Sequence, residues 1–337
     1  MSRPPTYLEG LQRALHSHFE NEPKAVILGE DIVDPYGGAF KVTKGLSSSF
    51  PDRVFSMPIC ESSITGMGIG LALRGFKPVV ELMFGDFSTL AADQLVNHAA
   101  KFPAMYGQGV SLPLVVRTPM GGGRGYGPTH SQSLEKMFLG IPNLSVVSPS
   151  LAHDTEKVLT NALNREEPTL FIESKTLYPL PIYKGNKEVS IESLAHKDGY
   201  PIAIARNYSP DQKPDLLIIA YGGASLPVLE TLEHYKEEEI HCIAAFPANL
   251  SSPPLEELAT LGALARRIVI ADEGHETFSW YSELSHSLQQ ILFGQLEAPI
   301  QHASATCELI PSNFEQETEV ILSKAKIEAA ATKALEW

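Results

Sequence analysis

The chain has 337 residues and a formal net charge of −14, with 43% hydrophobic and 20% charged residues. That length accommodates two domains of ordinary size, and the acidic balance argues against nucleic-acid binding, which needs a basic face. Three widely spaced cysteines, Cys60, Cys242 and Cys307, form no CxxC pair, so neither a zinc site nor a disulfide framework is expected, no run reaches membrane-span length, and a cytoplasmic protein without a signal peptide is the default.

Thr6 to Glu20 reads as an amphipathic helix, with Tyr7, Leu8, Leu11, Leu15 and Phe19 on one side. Ala25 to Leu28 is a continuous apolar run, the mark of a strand buried on both faces. Gly29, Glu30 and Asp31 lie where that strand exits. Arg53 to Ser56 is a second strand. Ile64, Met67, Gly68, Leu71 and Ala72 then follow helical spacing, with Ser62 and Ser63 offering capping oxygens at the start. Phe76 to Leu82 reads as a strand, Phe84 to Lys101 as one long helix, and Leu112 to Thr118 as a strand ending in the glycine-dense loop MGGGRGYGPTHSQS. Leu144 to Val147, Ala152 to Asn164 and Thr169 to Glu173 continue the alternation as strand, helix and strand.

From Tyr178 to Pro214 the pattern weakens into a Pro-, Gly- and Asn-rich connection, with room for a short β-hairpin. A second unit starts at Asp215 and repeats strand–helix alternation. It ends in one helix from Asn313 to Leu335. The expected fold class is therefore α/β: two open, mainly parallel sheets with helices on both faces. The expected division is a domain over 1–183, a linker over 184–213 and a domain over 214–337.

The chemistry centres on Glu61. It stands at a helix mouth, where the dipole favours an anion, yet its sequence neighbours are Met57, Ile59, Cys60 and Ile64. A carboxylate in apolar company loses solvation, its pKa rises, and it becomes useful for moving protons near neutrality; the plainer reading is a first-turn glutamate serving only the helix dipole. His130 ends the glycine loop after a parallel strand, at the carboxyl edge where Glu61 and Asp31 also point. Phe84 and Phe87 flank that edge, for core packing or for stacking on a flat ring. Glu273 and His275, in ADEGHETF, are read as a solvated turn with capping duty. GxxxxGK[ST], HExxH and GxSxG are all missing.

In order along the chain stand GED, YGGAFKVTKGL, MPICESSITGMGIGLALRGFKPVVELMFGDF, DQLVNHAAK, RTPMGGG, HSQSLEKMF, PNLSVVSPS and EPTLFIESKTLY, then DLLIIAYGG, FPANLSSPPLEEL and VIADEGHETF. This series resembles the β subunit of the thiamine-diphosphate-dependent E1 component of 2-oxo acid dehydrogenases (pyruvate, branched-chain or acetoin type). The resemblance implies a transketolase-like pyrimidine-binding domain followed by a transketolase C-terminal domain. It implies that Glu61 bonds the N1′ nitrogen of the aminopyrimidine, that Phe87 stacks near that ring with Phe84 beside it, and that His130 faces the reacting carbonyl. Glu30 joins the cofactor-binding set, and no metal ligand is assigned to this chain. The GDG motif that holds Mg²⁺ and diphosphate in such enzymes is absent. An α-type E1 subunit carrying it is therefore implied, in an α2β2 heterotetramer, with a lipoyl E2 as a further partner. Two other readings stay open: half of a split transketolase, with Arg117 and Arg124 as candidate phosphate-binding residues, and a catalytically silent assembly subunit. Ser63, where a glycine is usual, and Gly127-Pro128-Thr129 before His130 depart from the family pattern.

Overall fold

The computed structural model describes residues 3–106 and 110–337. The first sheet contains β1 (Ala25–Gly29), β2 (Val54–Ser56), β3 (Lys77–Glu81), β4 (Val115–Met120), β5 (Ser145–Val147) and β6 (Thr169–Ser174). They lie in the order β2-β1-β3-β4-β6-β5, every pair parallel. The second contains β7 (Ser190–Leu194), β8 (Ile202–Arg206), β9 (Leu216–Ala220), β10 (Cys242–Pro247), β11 (Ile268–His275) and β12 (Gln301–Ala305). Their order is β12-β11-β9-β10-β8-β7, parallel except where β8 pairs with β10 and β7 with β8.

Successive residues of these strands feed two different cores. Ile27, Val79, Val115 and Phe171 join one hydrophobic cluster, while Leu28, Val80, Val116 and Leu170 join the other. The same alternation continues in the second sheet, with Ile218 and Ala244 in the first cluster and Ile219 and Ala245 in the second. Apolar side chains on both faces are why these strands read as unbroken hydrophobic runs. The helix Tyr7–Asn21 covers one face, with Thr6 and Glu9 forming a reciprocal capping box. The helix Glu61–Leu73 covers the other, burying Ile64, Gly68, Ile69 and Ala72. Gly68 is required there, since a Cβ would stand 2.8 Å from Val80 Cγ2. Each core also draws on both sheets, and the sheets are stitched directly: Ser148 N–H donates to Ala248 O and Leu250 N–H to Val146 O, both at 2.8 Å.

The structure departs from the sequence expectations in four places. The span 84–101 is not one α-helix; it runs as a 3₁₀ segment, Gly85–Ala91, and a π segment, Gln94–Ala99. Ser88 and Thr89 hydroxyls bond the carbonyls of Gly85 and Asp86, three residues back, at 2.6 and 2.9 Å, which favours the tighter winding. The stretch 184–213 is more than a linker, because its hairpin β7–β8 forms the edge of the second sheet through Ala244 and Ala245 of β10. Strand β12, QHASA, has no β-branched residue to signal it. The terminal helix is two helices, Phe314–Val320 and Lys324–Leu335, because Ser323 breaks the run and caps the second. Among the described residues, no helix is long and apolar enough to cross a membrane.

Candidate active site

Glu61 is the first residue of its helix and is buried at 4% exposure. Met57 N–H donates to Gly29 O at 2.8 Å, which draws the β2–helix connection against the exit of β1. That contact brings Glu61 and Glu30 together. Glu30, itself buried, leaves Oε1 without a hydrogen-bond partner among the described residues. Burial, reinforced by the charges of Glu61, Asp31 and Glu81, pushes the Glu30 carboxyl up to about 7. The local cap is not the one expected. Cys60 holds the N-cap position without a side-chain cap, and Ser63 Oγ instead lies 3.1 Å from Cys60 Sγ. Nor does the apolar company close over Glu61. Ile64 is buried, but Ile59 is 80% exposed, Cys60 is exposed, and Phe55 and Met67 nearby are exposed as well.

The helix of Glu61 packs on the Gly85–Ala91 segment, and Phe84 and Phe87 at its start hold His130. The imidazole meets Phe84 edge-on at 4.7 Å between ring centroids and Phe87 at 5.2 Å. Phe40 and Tyr126 complete an aromatic cluster around Phe84. Glu61, Phe84, Phe87, Glu30 and His130 thus share one carboxyl edge of the first sheet, as an open-sheet topology favours. The glycine loop is an ordered support. Gly121, Gly123, Gly125 and Gly127 all have positive φ, between 70° and 89°, a conformation only glycine adopts without strain.

Three side chains that sequence reasoning passed over fasten this loop. Lys175, fully buried just after β6, donates Nζ–H to the His130 carbonyl. Asp86 accepts from Gln132 Nε2 at 2.9 Å. Glu317, from the C-terminal region, accepts from Gly125 N–H at 2.7 Å. Burial lowers the Lys175 ammonium to about 8. A lysine two residues past the end of an apolar strand in IESKTLY was the available signal, since buried lysines are rare without a task.

Two candidates change character. Arg117 is spent inside the protein: it bonds both oxygens of Glu173 through Nε and NH2, at 2.8 and 2.5 Å, and Glu81 through NH1. It is buried and cannot meet a substrate phosphate. Glu273 does not sit in a solvated turn. Its carboxylate accepts from Gly223 N–H at 2.8 Å, beside Gly121 and Ser174 of the first domain, and burial pushes it up to about 8. His275 bonds Thr306 O through Nδ1 at 2.6 Å.

Residues 3–181 match the family model for the transketolase pyrimidine-binding domain. The chain is 31% identical over 334 residues to the acetoin:2,6-dichlorophenolindophenol oxidoreductase subunit beta of Cupriavidus necator, covering 96% of each. It is 30% identical to the 2-oxoisovalerate dehydrogenase subunit beta of Bacillus subtilis, covering 98% of this chain and 99% of that one. With the mitochondrial pyruvate dehydrogenase E1 component subunit beta-1 of Arabidopsis thaliana it shares 31% identity, over 88% of this chain and 80% of that one. Among solved structures, a split-gene transketolase in an inactive beta4 tetramer superposes with a TM-score of 0.74 at 20% identity, over 98% of both chains, a likeness of fold.

Proposed function

The chain belongs to the transketolase pyrimidine-binding family, in its branch of 2-oxo acid dehydrogenase E1 beta subunits, and we propose that it supplies the pyrimidine half of a thiamine-diphosphate site completed by an α-type subunit. The observation that carries this is a pair of buried acids at an open edge: Glu61 starts its helix beside Glu30, whose Oε1 has no partner among the described residues, while Phe55, Ile59 and Met67 of the flanking elements are apolar and exposed. Such a patch beside an unsatisfied acid suits a subunit contact with a ligand trapped in it.

The residues at this edge fit the aminopyrimidine. Glu61 holds a proton at the ring nitrogen N1′. Phe84 and Phe87 offer apolar faces to the flat heterocycle. Glu30, kept partly protonated near neutrality, limits the negative charge beside Glu61. His130 faces the substrate carbonyl from the glycine loop. When bound, the cofactor supplies the carbanion chemistry that decarboxylates a 2-oxo acid. The diphosphate and Mg²⁺ belong to the α-type partner, which carries the GDG motif this chain lacks, in an α2β2 assembly that hands the acyl group to a lipoyl E2. Free Cys60, Cys242 and Cys307 suit a reducing cytoplasm. The split-transketolase alternative loses support, since Arg117 is committed to Glu81 and Glu173.

Co-expression with the α-type subunit tests the reading. The pair is expected to decarboxylate pyruvate or branched 2-oxo acids, and Glu61→Gln to reduce the rate by roughly 10²- to 10⁴-fold. Full activity of Glu61→Gln, or turnover by this chain alone, would overturn it.

A further inference from the structure

We propose that Lys175 and Glu317 are positioning residues for His130, so that the C-terminal region of the chain sets the geometry of a group in the first domain. The proposal deepens the reading above and rests on His130 being the residue that faces substrate. Its basis is that two buried charged side chains are spent on the backbone of this loop. Gly122, Ser131 and Ser133 line a cavity of about 260 Å³ behind it, shared with Gly223, Glu273 and Ile321 of the second domain. Gly123, Gly125 and Gly127 pack closely on Thr176 and Ser312, but on the cavity side, where Ser131 follows His130, packing does not fix the loop. Glycines at four alternate positions give it many backbone alternatives once released. What remains is a small set of polar tethers.

Two of these tethers are charged and buried. Lys175 binds the carbonyl of His130 itself and lies 5.3 Å from the centre of the Phe84 ring, the ring that His130 abuts. Glu317 is fully buried, bonds Gly125 N–H through Oε2, and leaves Oε1 unpartnered beside Gly122. A single backbone bond is a poor return for burying a carboxylate, unless its charge also serves the lysine below. The two attract across the loop, with Asp86 and Glu273 adding negative charge and Arg124 positive charge around Lys175. Removing Lys175 takes away the bond to the His130 carbonyl, and removing Glu317 takes away the bond to Gly125 N–H, so each releases one point of the same loop.

The test uses histidine ring signals in the NMR spectrum of the full chain, with no partner or cofactor. The signal missing from His130→Asn identifies His130. Its edge-on contacts with Phe84 and Phe87 give it a ring-current shift that a general loss of stability would not alter in a folded protein. Lys175→Met and Glu317→Ala are expected to return that signal toward the position of an exposed histidine. Glu317→Gln, whose amide oxygen still accepts from Gly125, is expected to retain most of the shift. If both disruptive variants fold, by circular dichroism, and leave the signal in place, the proposal is wrong. If Lys175→Met does not fold, the Glu317 pair decides: an unmoved signal in Glu317→Ala, or equal movement in Glu317→Gln, overturns it. In the reconstituted enzyme, kcat for Lys175→Met is expected to fall roughly 10- to 100-fold, with KM changing less, as for a misplaced group. A moved signal with unchanged kcat would leave the positioning intact and remove His130 from the reaction.

Discussion

The carboxyl edges of the two sheets both collect acids, and they treat them in opposite ways. At the second sheet the buried Asp272 is answered from within the chain. Asp272 accepts from Gly274 N–H at 2.8 Å, from Tyr281 N–H at 3.0 Å and from the Tyr221 hydroxyl at 2.7 Å. The same hydroxyl lies 2.8 Å from Glu135 of the first domain. The two acids share that one hydroxyl, and burial together with the charge of Asp272 raises the Glu135 carboxyl. At the first sheet, Arg117 answers Glu81 and Glu173, but Glu30, beside Glu61, leaves Oε1 without a partner among the described residues. Both are carboxyl edges of largely parallel sheets, so the edge alone does not mark a site; the two neighbouring acids Glu30 and Glu61, with no cation between them among the described residues, do.

The contrast can be broken most forcefully at Arg117. Arg117→Met strands Glu81 and Glu173 in the interior and is expected to cost about 3–5 kcal/mol, read by thermal or urea denaturation. A loss near zero would mean that those acids are not held by the arginine. Next comes the sealed edge. Tyr221→Phe removes the hydroxyl that joins Glu135 to Asp272 and is expected to cost about 1–3 kcal/mol, with no effect on the charge at Glu61. At the open edge the sign reverses. Glu30 is raised from 4.5 to about 7, so the folded chain keeps a proton that the unfolded chain has released. The stability this contributes is present below pH 4.5 and is lost as pH rises through 7. Glu30→Gln is therefore expected to raise the melting temperature relative to wild type at pH 8 and to change it little at pH 5. Equal effects at both values would remove the coupling with Glu61. The smallest change is Ile59→Ser. With Ile59 80% exposed, the chain's own stability should stay within about 0.5 kcal/mol, while association with the α-type subunit weakens in sedimentation or pull-down measurements.

Much of this arrangement was legible in the sequence. Continuous apolar runs such as Ala25–Leu28 and Leu216–Ala220 marked strands buried on both faces, and the helix start at Glu61 followed from the small-residue spacing after it. His130 was placed by its position after a parallel strand. Other features depend on contacts too distant in sequence for periodicity to carry. The winding of 85–99 turns on hydroxyl bonds and on i+3 versus i+5 closure, which one apolar stripe cannot separate. The hairpin β7–β8 forms only because β10 offers an edge. Arg117 looked available because nothing local says that Glu81 and Glu173 flank it on adjacent strands. Glu273 looked solvated because its neighbours Gly121 and Ser174 lie in the other domain. The apolar residues around Glu61 read as a burial signal, yet within this chain Ile59 and Cys60 face outward while Ile64 is buried. Pattern reveals that they will be covered but not by which molecule.

The central claim is that this chain holds one half of a shared site. Calorimetric titration of thiamine diphosphate with Mg²⁺ into the chain alone, into its complex with the α-type subunit, and into the same complex carrying Glu61→Gln tests it most directly. The account predicts heat of binding only with the complex, and a weaker affinity in the Glu61→Gln complex. Tight binding to the chain alone, or an affinity untouched by Glu61→Gln, would contradict it.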